Sequence, residues 1–168
     1  MNKKKEVMKK ISINLKINKG EILNELTRRS SYTALAAVPI SVRQESSEGI
    51  ADKIVLSSDD YPWCTDKFRM LFYKLREILL PFSSCGDEFA EETETEVGFK
   101  LTLGSNTQDA VMHYIKEIMV NYLLSNWFLE RMSDKSAYLA EQCDNMITLL
   151  KMTLNRTLGN TRRPTNYF

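Results

Sequence analysis

Three patterns predict a mainly α chain: a helical bundle of about four helices with a small two- or three-stranded β element and extended termini. Two helical periodicities run almost back to back near the C-terminus, over 106–132 and 135–156. A third apolar stripe at the same spacing lies between Phe68 and Phe82. Two short segments, 11–17 and 97–103, alternate instead with the period of a strand.

Taken in order, residues 1–9 read as a flexible basic arm, rich in lysine. The run ISINLKI then places Ile11, Ile13, Leu15 and Ile17 on one face, with Ser12, Asn14 and Lys16 on the other, as a half-buried strand requires. Asn18 followed by Glu21 resembles a capping box, so a short helix carrying Ile22, Leu23 and Leu26 is expected to start there and to fade after Arg29. Residues 38–50, with Pro39, Gly49 and several Ser and Glu, read as a loop, and Asp52 to Leu56 as a brief strand.

SSDDYP marks a helix start. Asp59 or Asp60 can cap it, and Pro62 is tolerated in the first turn. The stripe Phe68, Leu71, Phe72, Leu75, Ile78, Leu79 and Phe82 follows, and Pro81 should end or kink the helix. Beyond an acidic loop at 84–96, Val97 to Leu103 alternates as a second strand that should pair with the first, or extend a sheet between subunits.

Asn106 and Asp109 open the penultimate helix. Its second half, MVNYLLSNWFL, is apolar nearly all round, so it is central to its domain or buried by different partners on two sides. Only a tight turn at Ser133 to Lys135 separates it from the last helix, with Leu139, Cys143, Met146, Ile147, Leu150 and Leu154 on its apolar stripe. The domain expected from these elements is 10–156, followed by a docking tail at 157–168.

Composition bounds the function. Formal net charge is +1, so no global field draws the chain to nucleic acid or an anionic membrane. The charges are segregated, however: basic at both ends, acidic through Asp87, Glu88, Glu91, Glu92, Glu94 and Glu96. Each run reads as a solvated segment or as a contact surface. Cys64, Cys85 and Cys143 are widely spaced without a CxxC pair, which argues against a disulfide framework or zinc site. No stretch has the apolar length of a membrane span, and MNKKKEVMKK lacks the hydrophobic run of a signal peptide. His113 is the only histidine, and GxSxG, GxxxxGK[ST] and GxGxxG are all missing. No catalytic site, metal or cofactor is expected.

The candidate functional residues are therefore contact residues. Trp127 and Phe128 are adjacent and cannot both face one core, so one is expected to point to another subunit; Tyr122 is a further aromatic candidate. In the tail, Arg162, Arg163, Pro164, Tyr167 and Phe168 combine aromatic anchors with bidentate donors, the ingredients of docking onto a neighbour.

The order of elements resembles a known family. The pieces that carry the resemblance are Ile17–Ala34, reading INKGEILNELTRRSSYTA, the serine–aspartate entry into Ser57–Phe82, and the strand Phe99–Leu103. They continue through Asn106–Phe128, ending NWF, the final helix Ala137–Arg156, and the Arg-Pro tail Arg162–Pro164. Together these resemble small structural proteins of tailed bacteriophages, the head–tail connector or neck ring (adaptor) proteins of Bacteroidales-phage type.

The resemblance implies a virion protein of the phage neck, made in the host cytoplasm. It would form a homo-oligomer ring, commonly of about twelve copies, between portal and tail. Its partners would be the portal protein and adjacent neck or tail ring proteins, with non-specific contact to genomic DNA in the channel and none to a membrane. The acidic loop at 87–96 departs from what a contact segment of that family leads one to expect; facing the DNA channel instead is the alternative for it, where negative charge would keep DNA from sticking. Alternatives from the same residues are a tail-completion or capsid-associated virion protein, and a small non-enzymatic DNA-binding or regulatory protein using its basic ends.

Overall fold

A computed structural model describes residues 10–37, 53–84, 86–104 and 106–157. The expectations for the arm at 1–9, the loop at 38–50 and the tail beyond Thr157 lie outside those residues. Within them, the chain is mainly helical with one small antiparallel sheet.

Strand β1 (Lys10–Asn18) runs without a loop into helix α1 (Lys19–Ala37). Asn18 makes that abrupt change workable. Its carboxamide oxygen accepts the free N–H groups of Gly20 and Glu21, at 2.7 and 3.3 Å. Glu21 does not complete a reciprocal box: its carboxylate takes the ammonium of Lys116 at 2.8 Å. Lys19, buried at the corner, donates to the Glu92 carboxylate and the Thr93 carbonyl, both at 2.8 Å.

Helix α1 does not fade after Arg29 but continues through Ala37. Tertiary packing overrides the weak propensity of its Ser and Thr residues, and their hydroxyls join the helix. Ser31 Oγ donates to the Thr27 carbonyl and Thr33 Oγ1 to the Arg29 carbonyl. Ser30, fully buried, donates to Thr27 O and accepts the Leu56 N–H at 2.9 Å.

The segment around Leu56 is not the strand its sequence suggests. Residues 53 and 54 are helical, a bend follows, and the carbonyls of Lys53 and Ile54 are taken by Arg131 and Trp127. A short 3-10 turn, Ser58–Asp60, leads into α2 (Tyr61–Leu79), with Pro62 in the first turn. Asp60 serves the entry by accepting the backbone N–H and hydroxyl of Ser57, each at 2.9 Å. Cys64, Phe68, Leu71, Phe72, Leu75 and Leu79 are buried on one face, and the helix gives way at Pro81 to a 3-10 turn.

The acidic segment is partly ordered structure rather than a simple loop. A 3-10 turn at Gly86–Phe89 buries Phe89, and β2 (Ala90–Glu92) adds a third strand. Strand β3 (Glu96–Gly104) pairs antiparallel with β1 from Asn18↔Glu96 to Lys10↔Gly104, and with β2 on its other edge, giving the order β1-β3-β2. This register sets Leu15 opposite Phe99 and Ile17 opposite Val97, so the apolar face of both strands lies against the helices.

Helix α3 (Gln108–Phe128) is the axis of the molecule. It packs along α4 (Ser133–Thr157) and also meets α1, α2 and β1. The hairpin closes over Leu129–Met132, where the Met132 N–H donates to the Phe128 carbonyl at 2.8 Å. Buried Ser136 ties the start of α4 to the Ser125 carbonyl at 2.8 Å. Cys143 packs as a small apolar residue beside the Ile118 carbonyl, and burial raises its thiol pKa.

Candidate assembly surface

The two adjacent aromatics of α3 do not divide between this chain and another. Trp127 is only 4% exposed and Phe128 is fully buried, both within the chain. The expected outward ring was wrong because α3 is covered on both flanks, so neighbouring residues pointing in different directions each meet protein. The Trp127 indole Nε1 donates to the Ile54 carbonyl at 2.8 Å, and the Trp63 ring meets it edge-on at 5.4 Å. The Arg131 guanidinium lies 3.7 Å above the indole, donating to the Lys53 and Trp127 carbonyls. Trp127 is thus a structural clamp. Tyr122 is half-buried, with the Lys74 ammonium 5.8 Å from its ring centre. Arg162, Arg163, Pro164, Tyr167 and Phe168 lie outside the described residues.

Apolar surface does remain once the core is closed. On α2, Met70 and Tyr73 are exposed one turn apart on a shared face, and Leu80 is exposed in the 3-10 turn that follows. On α4, Tyr138, Leu149 and Met152 recur along one side and are also exposed.

The most shaped part of this surface is a cleft of about 380 Å³ between α1 and α4, floored by α3. Asn121, Leu124 and Phe128 form the floor; Tyr32 and Thr33 stand on the α1 wall, and Tyr138, Leu139 and Met146 on the α4 wall. Tyr32 is 62% exposed and Tyr138 53%. Asn121 is 5% exposed, and its carboxamide meets no hydrogen-bonding partner among the described residues. A buried amide facing an open cleft is an unused donor and acceptor.

One wall of this cleft is fixed electrostatically. Arg29 spans from Glu25, at 2.6 Å, to both carboxylate oxygens of Glu117, at 2.7 and 3.0 Å. Arg28 also clasps Glu25 through two hydrogen bonds. The Arg28 hydrogen bond, with Arg29 adding to it, lowers the Glu25 carboxyl pKa to about 2. Both guanidinium pKa values are raised in turn, Arg28 by Glu25 and Arg29 chiefly by Glu117.

Other chemistry-bearing groups are dispersed. His113 is exposed beside Tyr114. Burial, with the nearby Asp60 charge, pushes the Cys64 thiol up to about 11. Among the described residues, no three His, Cys, Asp or Glu side chains cluster as metal ligands, and no helix is long and apolar enough to cross a membrane. The outer face of the sheet mixes Lys16 and Lys100 with Glu91 and Glu96, so it offers no one-signed path for a phosphate backbone.

Sequence reasoning missed the cleft. Tyr32 falls beyond the point where α1 was expected to fade, and Asn121 sits inside an apolar run that also holds Asn126. Tyr138 carried a signal: it lies about three turns before Leu149, on the side of α4 away from the core stripe. Compared with protein families, curated proteins and solved structures, the chain matches none of them.

Proposed function

We propose that this chain is a non-enzymatic structural subunit that works by assembling with copies of itself and with neighbouring proteins, as a head–tail connector in the neck of a tailed phage. The observation that carries the assembly reading is the apolar surface left on three helices after a well-filled core is complete. Within the chain Arg28 lies over the Tyr32 ring, Lys135 over the Tyr138 ring and Phe72 edge-on to Tyr73, yet these rings and Met70 remain more than half exposed; covering such side chains contributes roughly 1.5–3 kcal/mol each when burial is full. The phage setting rests on the sequence resemblance. In it, these faces make lateral contacts within a ring around the DNA channel, and the portal and an adjoining ring lie above and below.

Imaging tests this reading. The purified chain, alone and mixed with the portal assembly encoded in the same genome, should give closed rings, free or seated on the portal. Single particles that stay monomeric and leave the portal bare would overturn it. Retention on duplex DNA that falls with salt, without rings, would favour a DNA-binding role instead.

A further inference from the structure

We infer that the sheet continues from one copy of this chain into the next, the free edge of β1 pairing with the free edge of β2 on a neighbouring copy. This inference rests on the ring reading above and names a contact that would join the copies, beside their apolar faces.

The alternation of ladder hydrogen bonds fixes which backbone groups are free. The Lys19 N–H donates to the Thr95 carbonyl at 2.8 Å, just past the end of the β1–β3 ladder. Stepping back by two along the register, Ile17, Leu15, Ile13 and Ile11 are the residues that exchange hydrogen bonds with β3. The N–H and C=O groups of Ser12, Asn14 and Lys16 therefore point away from β3, along a nine-residue edge, and meet no partner among the described residues. The same count applies to β2. The Thr93 N–H donates to the Glu96 carbonyl at 2.9 Å, so Glu91 bonds to Gly98 while Ala90 and Glu92 direct their backbone groups outward. An uncovered edge as long as β1 is a template for another strand.

Charge and packing choose that strand. On the outer face of the sheet, β1 carries Lys10 and Lys16 and no acid, whereas the β2 side carries Glu88 and Glu91 and no base. Lys16 lies 3.5 Å from Glu96 but keeps 63% of its side chain exposed, and Lys10, Glu88 and Glu91 form no ion pair among the described residues. Two β1 edges set together would gather four lysines on one face; β1 against β2 brings lysine to glutamate. Ile11 and Ile13 are only half-buried, while Leu15 and Ile17 are fully covered, so an added strand has apolar surface left to close.

Direction fits a ring. The order β1-β3-β2, with both pairings antiparallel, leaves β1 and β2 pointing the same way. A copy rotated about an axis that keeps this direction lays its β1 parallel to the first copy's β2. That contact is head-to-tail, the kind that repeats around a ring.

The test reverses each edge in the full chain. One variant carries Lys10→Glu and Lys16→Glu, the other Glu88→Lys and Glu91→Lys; all four side chains are exposed. Sedimentation and imaging, with and without portal, should show assembly of each variant alone weakened by about tenfold or more in concentration. An equimolar mixture should recover it, because alternating the two variants sets opposite charges at every junction. Misfolding cannot produce that rescue. Amide exchange reads the strand pairing itself: Ser12, Asn14 and Lys16 should exchange freely in the monomer and become protected in the assembled wild type.

Rings that form equally well in each variant, a mixture that recovers nothing, or assembled wild type with those amides unprotected would overturn this contact and leave the ring reading standing. Protection that appears only with portal, without rings, would give the edge to a different protein and overturn the second copy. A wild-type chain that stays monomeric throughout would overturn the ring and this contact together.

Discussion

Glu25 shows how a single side chain couples α1 to its surroundings. Arg28 and Arg29 hold its carboxyl near pKa 2, against an ordinary value of 4.5. A folded-state pKa lowered in this way stabilises the protein above the unfolded value, and the benefit disappears as pH falls from about 5 toward 2. Glu25 is half-buried but its partner Arg28 is exposed, so screening keeps the effect modest. Urea titrations should show that Glu25→Gln loses less stability than wild type over that interval. Equal slopes would mean that the ion pairs do not operate in solution. Trp127 tests the interior instead. Trp127→Phe removes the donor to the Ile54 carbonyl and the ring face beneath Arg131, and should cost roughly 1–3 kcal/mol by the urea midpoint. A change within error would show that the indole clamp is dispensable.

At the scale of elements, most of the fold was legible wherever one period dominated. β1, α2, β3, α3 and α4 follow alternation or stripe closely, because burial on one face imposes that pattern. The misses share a cause: the deciding partner was distant in sequence. α1 outlasts its propensity because Ser30 receives the Leu56 N–H. Residues 53–56 are not a strand because Trp127 and Arg131 take their carbonyls. Acidic Glu92 belongs to a strand because Lys19 is buried beside it. Asn18, by contrast, acts locally and was readable. Asn18→Ala should destabilise the start of α1, costing about 1 kcal/mol, with faster amide exchange at Gly20 and Glu21. Unchanged exchange there would show that β1 alone holds the helix start.

The whole molecule explains why the candidate surface was only half legible. The sequence marked aromatic residues as contacts, but a central helix buried on both flanks hides Trp127 and Phe128 in its own chain. What remains for partners is a cleft made by three helices that are far apart in sequence, which no single periodicity could display. Tyr32 and Asn121 become neighbours only after α1 folds back across α3.

The central claim is that these leftover apolar faces bind sister copies. Its most direct test is the mass of the full chain by sedimentation across a concentration series, alone and with portal, beside a variant carrying Met70→Lys, Tyr73→Lys and Leu149→Lys. The account predicts an assembled species for the wild type and a folded monomer for the variant. A wild-type chain that remains monomeric at every concentration, with and without portal, would contradict it.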